Sequence, residues 1–158
     1  MKNKKSYFKI EDMKIALLEI IKQMKESNWF PEIIFSINRG GCVPGVYLSH
    51  AINVPHHVID VQLRDNNTKP NLYVLENYHD KKKNILIIDD INDSGATFNL
   101  IKNHMKKYIV NLSYASLIEN KSSNFKADFK GKLIDKTADP TWIVFPWEYH
   151  QNSYHKNE

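Results

Sequence analysis

Residues 85–97 read Ile85-Leu86-Ile87-Ile88-Asp89-Asp90-Ile91-Asn92-Asp93-Ser94-Gly95-Ala96-Thr97, and the order of residue types along them decides the fold class. Four consecutive apolar residues make a short strand buried on both faces. Two adjacent carboxylates, Asp89 and Asp90, stand at its carboxyl end. A turn of small and polar residues follows, Asp93-Ser94-Gly95-Ala96-Thr97, and then Phe98, Leu100, Ile101 and Met105 return with helical spacing. Strand, acidic pair, small-residue turn and helix in this order make a ligand site at the carboxyl edge of an α/β sheet. The turn can aim backbone N–H groups and the hydroxyls of Ser94 and Thr97 at one anion, where the helix dipole adds attraction. The acidic pair cannot bind an anion, but it can accept hydrogen bonds from a vicinal diol. A ribose 5-phosphate offers both groups.

Working outward, strands alternate with helices. Residues 11–27 place Met13, Leu17, Ile20, Ile21 and Met24 on one helical face, and residues 33–37 read as a buried strand. Gly40-Gly41 turns the chain, and Pro44 opens a helix to about Ile52. Strands are expected over 58–63 and 112–118, with a short one over 72–75. The polar stretch 64–83 reads as a lid or a loop without regular structure. After Glu119 the pattern loosens until Trp142-Ile143-Val144-Phe145-Pro146-Trp147-Glu148. The expectation is one domain over 1–158: a mostly parallel twisted sheet flanked by helices, with a core over about 30–118, a small C-terminal hood over about 119–148, and a polar tail over 149–158.

The totals restrict the function classes. A chain of 158 residues with 42% hydrophobic and 25% charged residues suits one soluble globule. No apolar run is long enough for a membrane span, and the basic start leads into no apolar signal segment, so a cytoplasmic protein is expected. A single cysteine, Cys42, excludes an internal disulfide and a multi-cysteine zinc site. His56 and His57 are adjacent and diverge, so the histidines build no transition-metal site. The net charge of +4 suits an anionic ligand, but the positive charge is spread and only Lys81-Lys82-Lys83 is dense, which disfavours nucleic acid.

The 85–97 stretch resembles the phosphoribosyl-diphosphate (PRPP) signature of the type I phosphoribosyltransferases, departing at Asn92, where a hydrophobic residue is commoner. Asn92 is expected to alter packing rather than chemistry. Arg39-Gly40-Gly41-Cys42-Val43-Pro44 resembles the pyrophosphate loop of the purine-salvage members, which implies a cis Asn38–Arg39 peptide. Its glycines allow close backbone approach, and Arg39 is a fork suited to phosphate. The polar stretch 64–83 corresponds to the loop that closes over PRPP, with Arg64 and Lys69 as the cations that reach the diphosphate. The 142–148 segment resembles the base-binding hood of the xanthine-guanine and hypoxanthine enzymes: Trp142 stacks on the purine, the Ile143 backbone reads its edge, and Glu148 lies near the metal-bound pyrophosphate. The bland alternative is an edge strand that uses its aromatics as core, and Trp147 is expected to be core.

The resemblance implies a purine phosphoribosyltransferase that moves the 5-phosphoribosyl group from PRPP to a 6-oxopurine and releases pyrophosphate. Ser94, Gly95, Ala96 and Thr97 would hold the 5-phosphate, with Arg39, Gly40 and Lys69 at the diphosphate. Asp89 and Asp90 would hold the ribose, and Asp93 would take the proton of the base. Mg²⁺ is the implied cofactor, with Asp89 and Glu148 as its carboxylates. The family lysine that contacts the exocyclic oxygen falls on Asn120 or Lys121, which leaves the preferred base open. Homo-oligomers are usual in the family. A PRPP-sensing regulator that binds nucleic acid, or an enzyme for a different base, are the alternatives.

Overall fold

A computed structural model of the chain describes residues 4–61, 69–78, 83–108 and 111–148. The elements are β1 (Lys5–Tyr7), α1 (Ile10–Glu26), β2 (Ile33–Asn38), α2 (Cys42–Ile52), β3 (His56–Asp60), α3 (Tyr73–Glu76), β4 (Asn84–Asn92), α4 (Ala96–Met105), β5 (Asn111–Asn120), β6 (Phe129–Ile134) and β7 (Trp142–Val144). The main sheet has five strands in the order β3-β2-β4-β5-β6, every neighbouring pair parallel. A separate parallel pair joins β1 to β7.

Alternation along the central strands makes two cores. Ile34, Leu86 and Ile88 pack with Met13, Leu17, Ile20 and Met24 of α1, Leu48 of α2 and Phe145. Phe35, Ile85 and Ile87 pack on the opposite face with Leu72, Leu75, Phe98, Ile101 and Met105. Successive side chains of a strand point to opposite faces, so a continuous apolar run in β4 feeds both layers. The expected architecture, a parallel sheet flanked by helices, is what forms.

Four local readings change. Residues 72–75 were expected as a strand, but α3 covers 73–76. Leu72 and Leu75, both buried, share one face only in a helix, and the Asn71 side chain accepts the Tyr73 N–H at 3.2 Å. β3 begins at His56 rather than 58, where the His56 ring meets the Ser36 hydroxyl at 2.7 Å. Strand β6 lies in the stretch where the pattern loosens. It is an edge strand interrupted by Lys130, Gly131 and Lys132, and Gln23 of α1 clamps it, bonding both the N–H (3.0 Å) and the C=O (2.8 Å) of Lys130. Strand β1 carries no apolar pattern and exists because β7 pairs with it.

Candidate active site

Strands β2 and β4 are parallel neighbours, so the turns leaving their carboxyl ends lie side by side. The turn after β2 contains a cis peptide between Asn38 and Arg39. A Cβ on Gly40 would stand 2.1 Å from Asp90 Oδ2, and one on Gly41 would stand 2.5 Å from the Ile88 carbonyl oxygen. Only glycines let this turn rest on the end of β4, and the contact brings the Gly40 backbone against the Asp90 carboxylate.

Asp90 is 9% exposed. Burial pushes its carboxyl up to about 6, against hydrogen bonds from the Trp147 indole N–H and the Ile91 backbone, and Glu148 adds repulsion in the same direction as burial. The Trp147 Nε1 to Asp90 Oδ2 distance is 3.4 Å. Trp147 also stacks on Phe145 with centroids 5.0 Å apart, so it is both core and a partner of the acid. Cys42 lies at the start of α2 with its thiol raised by burial and its Sγ 3.5 Å from Asn38 Oδ1, the position of a small packing residue.

The turn after β4 leads into α4 through Gly95, whose φ of 86° suits glycine. A Cβ there would also meet the Phe125 nitrogen at 2.5 Å. Ser94 Oγ accepts the Ala96 N–H at 3.3 Å, and the Ser94 carbonyl accepts the Asn124 N–H at 3.0 Å. Thr97 follows in the first turn of α4, where the leading N–H groups have no intrahelical acceptor. Asn92 is buried beneath this turn. Its amide donates to Glu119 Oε2 (2.8 Å) and to the Phe125 carbonyl (2.7 Å), and its oxygen accepts the Ser123 hydroxyl (3.1 Å). The polar residue at this position ties the β4 turn to the loop after β5.

Asp93 closes the other side of the same turn. Its Oδ1 accepts from the Asn120 amide at 3.0 Å, and its Oδ2 accepts from Lys136 Nζ at 2.6 Å. A cleft of about 410 Å³, counted with its mouth, opens over it, lined by Asp90, Ile91, Asp93, Lys136, Trp142, Ile143, Phe145 and Glu148. Trp142 is 43% exposed, with Lys136 Nζ 5.7 Å from its ring centroid. Thus Asp90, Asp93, Trp142, Ile143 and Glu148, far apart in sequence, share one cleft.

Other candidates stand elsewhere. Asn120 is 4% exposed. Its amide is used on the Asp93 side chain and carbonyl, and its oxygen accepts the backbone N–H groups of Ser122 (3.4 Å) and Lys136 (3.2 Å). Lys121 is exposed on the turn after β5 and does not line the cleft. Lys69 is exposed near the Asp60–Asn71 bridge, outside the cleft lining, and Arg64 lies outside the described residues. Lys136 was missed from sequence. Nothing in Asp135-Lys136-Thr137 distinguishes it from a solvated loop lysine, although its place six residues before Trp142 was visible.

Among the described residues no three His, Cys, Asp or Glu side chains converge to hold a metal ion. The donors at the strand end are carboxylates, which suit a hard divalent cation that keeps waters and phosphate oxygens in its shell. These residues therefore fit a cation carried in by a diphosphate better than one held by the protein alone. No helix among the described residues is long and apolar enough to cross a membrane.

A phosphoribosyl transferase domain profile matches residues 3–153. The xanthine-guanine phosphoribosyltransferase of Vibrio atlanticus is 28% identical over 128 residues, covering 80% of this chain and 77% of its own. A solved purine phosphoribosyltransferase from Pyrococcus horikoshii superposes with a TM-score of 0.73 at 28% identity, covering 92% of this chain and 95% of that one. The Helicobacter pylori xanthine-guanine-hypoxanthine phosphoribosyltransferase gives 0.72 at 26% identity, covering 92% of each chain. With strand order, turns and profile in agreement, the chain belongs to the phosphoribosyl transferase domain family.

Proposed function

We propose that the chain is a purine phosphoribosyltransferase, which transfers the 5-phosphoribosyl group of PRPP to a ring nitrogen of a 6-oxopurine and releases pyrophosphate. The observation that carries this reading is one cleft that brings Asp90 and Asp93, at the end of β4 and the start of the turn into α4, together with Trp142, Ile143 and Glu148. The names of the similar proteins point the same way.

In this reading the 94–97 turn and the start of α4 bind the 5-phosphate through backbone N–H groups and the hydroxyls of Ser94 and Thr97. Arg39, the Gly40 backbone and Lys69 are the groups that meet the diphosphate. Asp89 and Asp90 hold the ribose hydroxyls and stabilise the positive charge that grows on the sugar as the bond to diphosphate loosens. The ring nitrogen forms its bond to the anomeric carbon while the carbon–oxygen bond breaks and its electron pair leaves with pyrophosphate. Asp93 takes the proton released from the base. Trp142 stacks on the ring, and Ile143 presents backbone to its edge. Asp89 and Glu148 would be the carboxylates that help to hold Mg²⁺, which would offset charge on the diphosphate.

Hypoxanthine, guanine, xanthine and adenine, each supplied with PRPP and Mg²⁺ and followed by pyrophosphate release, test the reading. Turnover with at least one 6-oxopurine is expected. Failure of every purine to react removes the assignment.

A further inference from the structure

We infer that Glu119, acting through Asn92 and Ser123, is a positioning residue for PRPP. It fixes the 123–127 segment against the Ser94-Gly95 turn and so holds that turn in the shape that takes the 5-phosphate. This rests on the 94–97 turn being the 5-phosphate site. Glu119 lies outside the cleft lining and is 1% exposed, and Asn92 is 4% exposed. The two are register partners across the parallel strands β4 and β5.

The network runs from the strand pair to the turn. Glu119 Oε2 accepts the Asn92 amide at 2.8 Å and the Ser116 hydroxyl at 3.3 Å, and Oε1 accepts the Ala127 N–H at 3.3 Å. Asn92 passes the tie on, donating to the Phe125 carbonyl and accepting the Ser123 hydroxyl. The segment held in this way touches the turn directly. The Asn124 N–H donates to the Ser94 carbonyl, and a Cβ on Gly95 would stand 2.5 Å from the Phe125 nitrogen and 2.9 Å from Ser123 Oγ. Any drift of 123–125 is carried straight into Gly95.

Stability alone is a poor reason for such a network. Burying a carboxylate is costly, and packed apolar side chains often replace a buried polar cluster without loss. An apolar pair at 92 and 119 could fill the space, but it could not bond Phe125, Ser123 and Ala127. Those bonds have direction, and they fix a segment that lies between β5 and β6 with no helix or strand of its own. A phosphate held by several N–H groups at once binds well when they already converge, because aligning them on binding takes from the affinity.

The test measures Kd by calorimetry for three probes in the presence of Mg²⁺: PRPP, ribose 5-phosphate and pyrophosphate. Wild type is compared with Glu119→Gln and Ser123→Ala, with folding checked by thermal melting. In either orientation the new amide of Glu119→Gln turns its NH2 toward a donor, so Kd for PRPP and ribose 5-phosphate should rise by about 5–30-fold. Ser123→Ala removes one hydroxyl and should raise both by about 2–5-fold, which decides the matter if Glu119→Gln melts early. Pyrophosphate carries no 5-phosphate and should bind as in wild type, and kcat at saturating PRPP should be kept. Unchanged Kd for PRPP and ribose 5-phosphate in the folded variants, or an equal loss for pyrophosphate, overturns the positioning role alone. A wild type that binds neither PRPP nor ribose 5-phosphate overturns both this inference and the reading beneath it.

Discussion

Asp90 should make the empty protein less stable at neutral pH than it could be. In the unfolded chain its carboxyl titrates near 3.8, and in the fold burial raises it to about 6. The folded state therefore binds the extra proton between these values. Stability is greatest below the unfolded value and falls as pH rises through the folded one. The difference is roughly two units, or about 3 kcal/mol once both states are ionised. Asp90→Asn keeps the size and an oxygen for the Trp147 N–H but has no charge to desolvate. At pH 7.5 it should be more stable than wild type by about 2–3 kcal/mol, raising Tm by about 5–10 °C for a chain of this length. At pH 4, with the wild-type carboxyl largely protonated, the two should nearly coincide. Urea unfolding of both proteins at pH 4, 5.5 and 7.5 reads the difference directly. A variant less stable at pH 7.5, or a gain of the same size at pH 4, refutes the argument. On the proposed function the same variant should bind PRPP poorly, because the charge that burial disfavours is the one assigned to the ribose.

Three further outcomes are expected. Asn92→Leu introduces an apolar side chain of the kind commoner in the family, yet here it strips the buried Glu119 carboxylate of a donor. A loss of about 1–3 kcal/mol in urea unfolding is expected, and unchanged stability would show that the network under the β4 turn holds nothing. Trp142→Ala should weaken base binding by about 1–3 kcal/mol, seen as a higher KM for base with the KM for PRPP preserved. Asp93→Asn keeps the turn but cannot take a proton, so kcat should drop by about 10²–10⁴-fold while PRPP still binds in a calorimetric titration. Near-normal turnover in that variant removes Asp93 from the mechanism.

The sequence by itself determined the central architecture. An apolar run that needs two buried faces can only be an interior strand between helical layers, and a turn of small residues after it can only serve the sheet's carboxyl edge. Chain order also placed Gly40-Gly41 after one strand and Asp89–Thr97 at the end of another, and in a parallel sheet such ends lie on one edge. The edges were another matter. β1, β6 and α3 owe their conformations to Val144 and its neighbours, to the Gln23 clamp and to a shared buried face, none of which leaves a local period. The polar edge of the cleft beside Asp93 was decided only in three dimensions. Counting from the end of β5 leads to Asn120 and Lys121, but Asn120 spends its amide on Asp93 and on the Lys136 backbone, and Lys121 faces out. The cation beside Asp93 comes instead from a loop 43 residues away in sequence. A long flexible side chain takes its partner from whatever the fold brings within reach, and spacing along a chain carries no record of that distance.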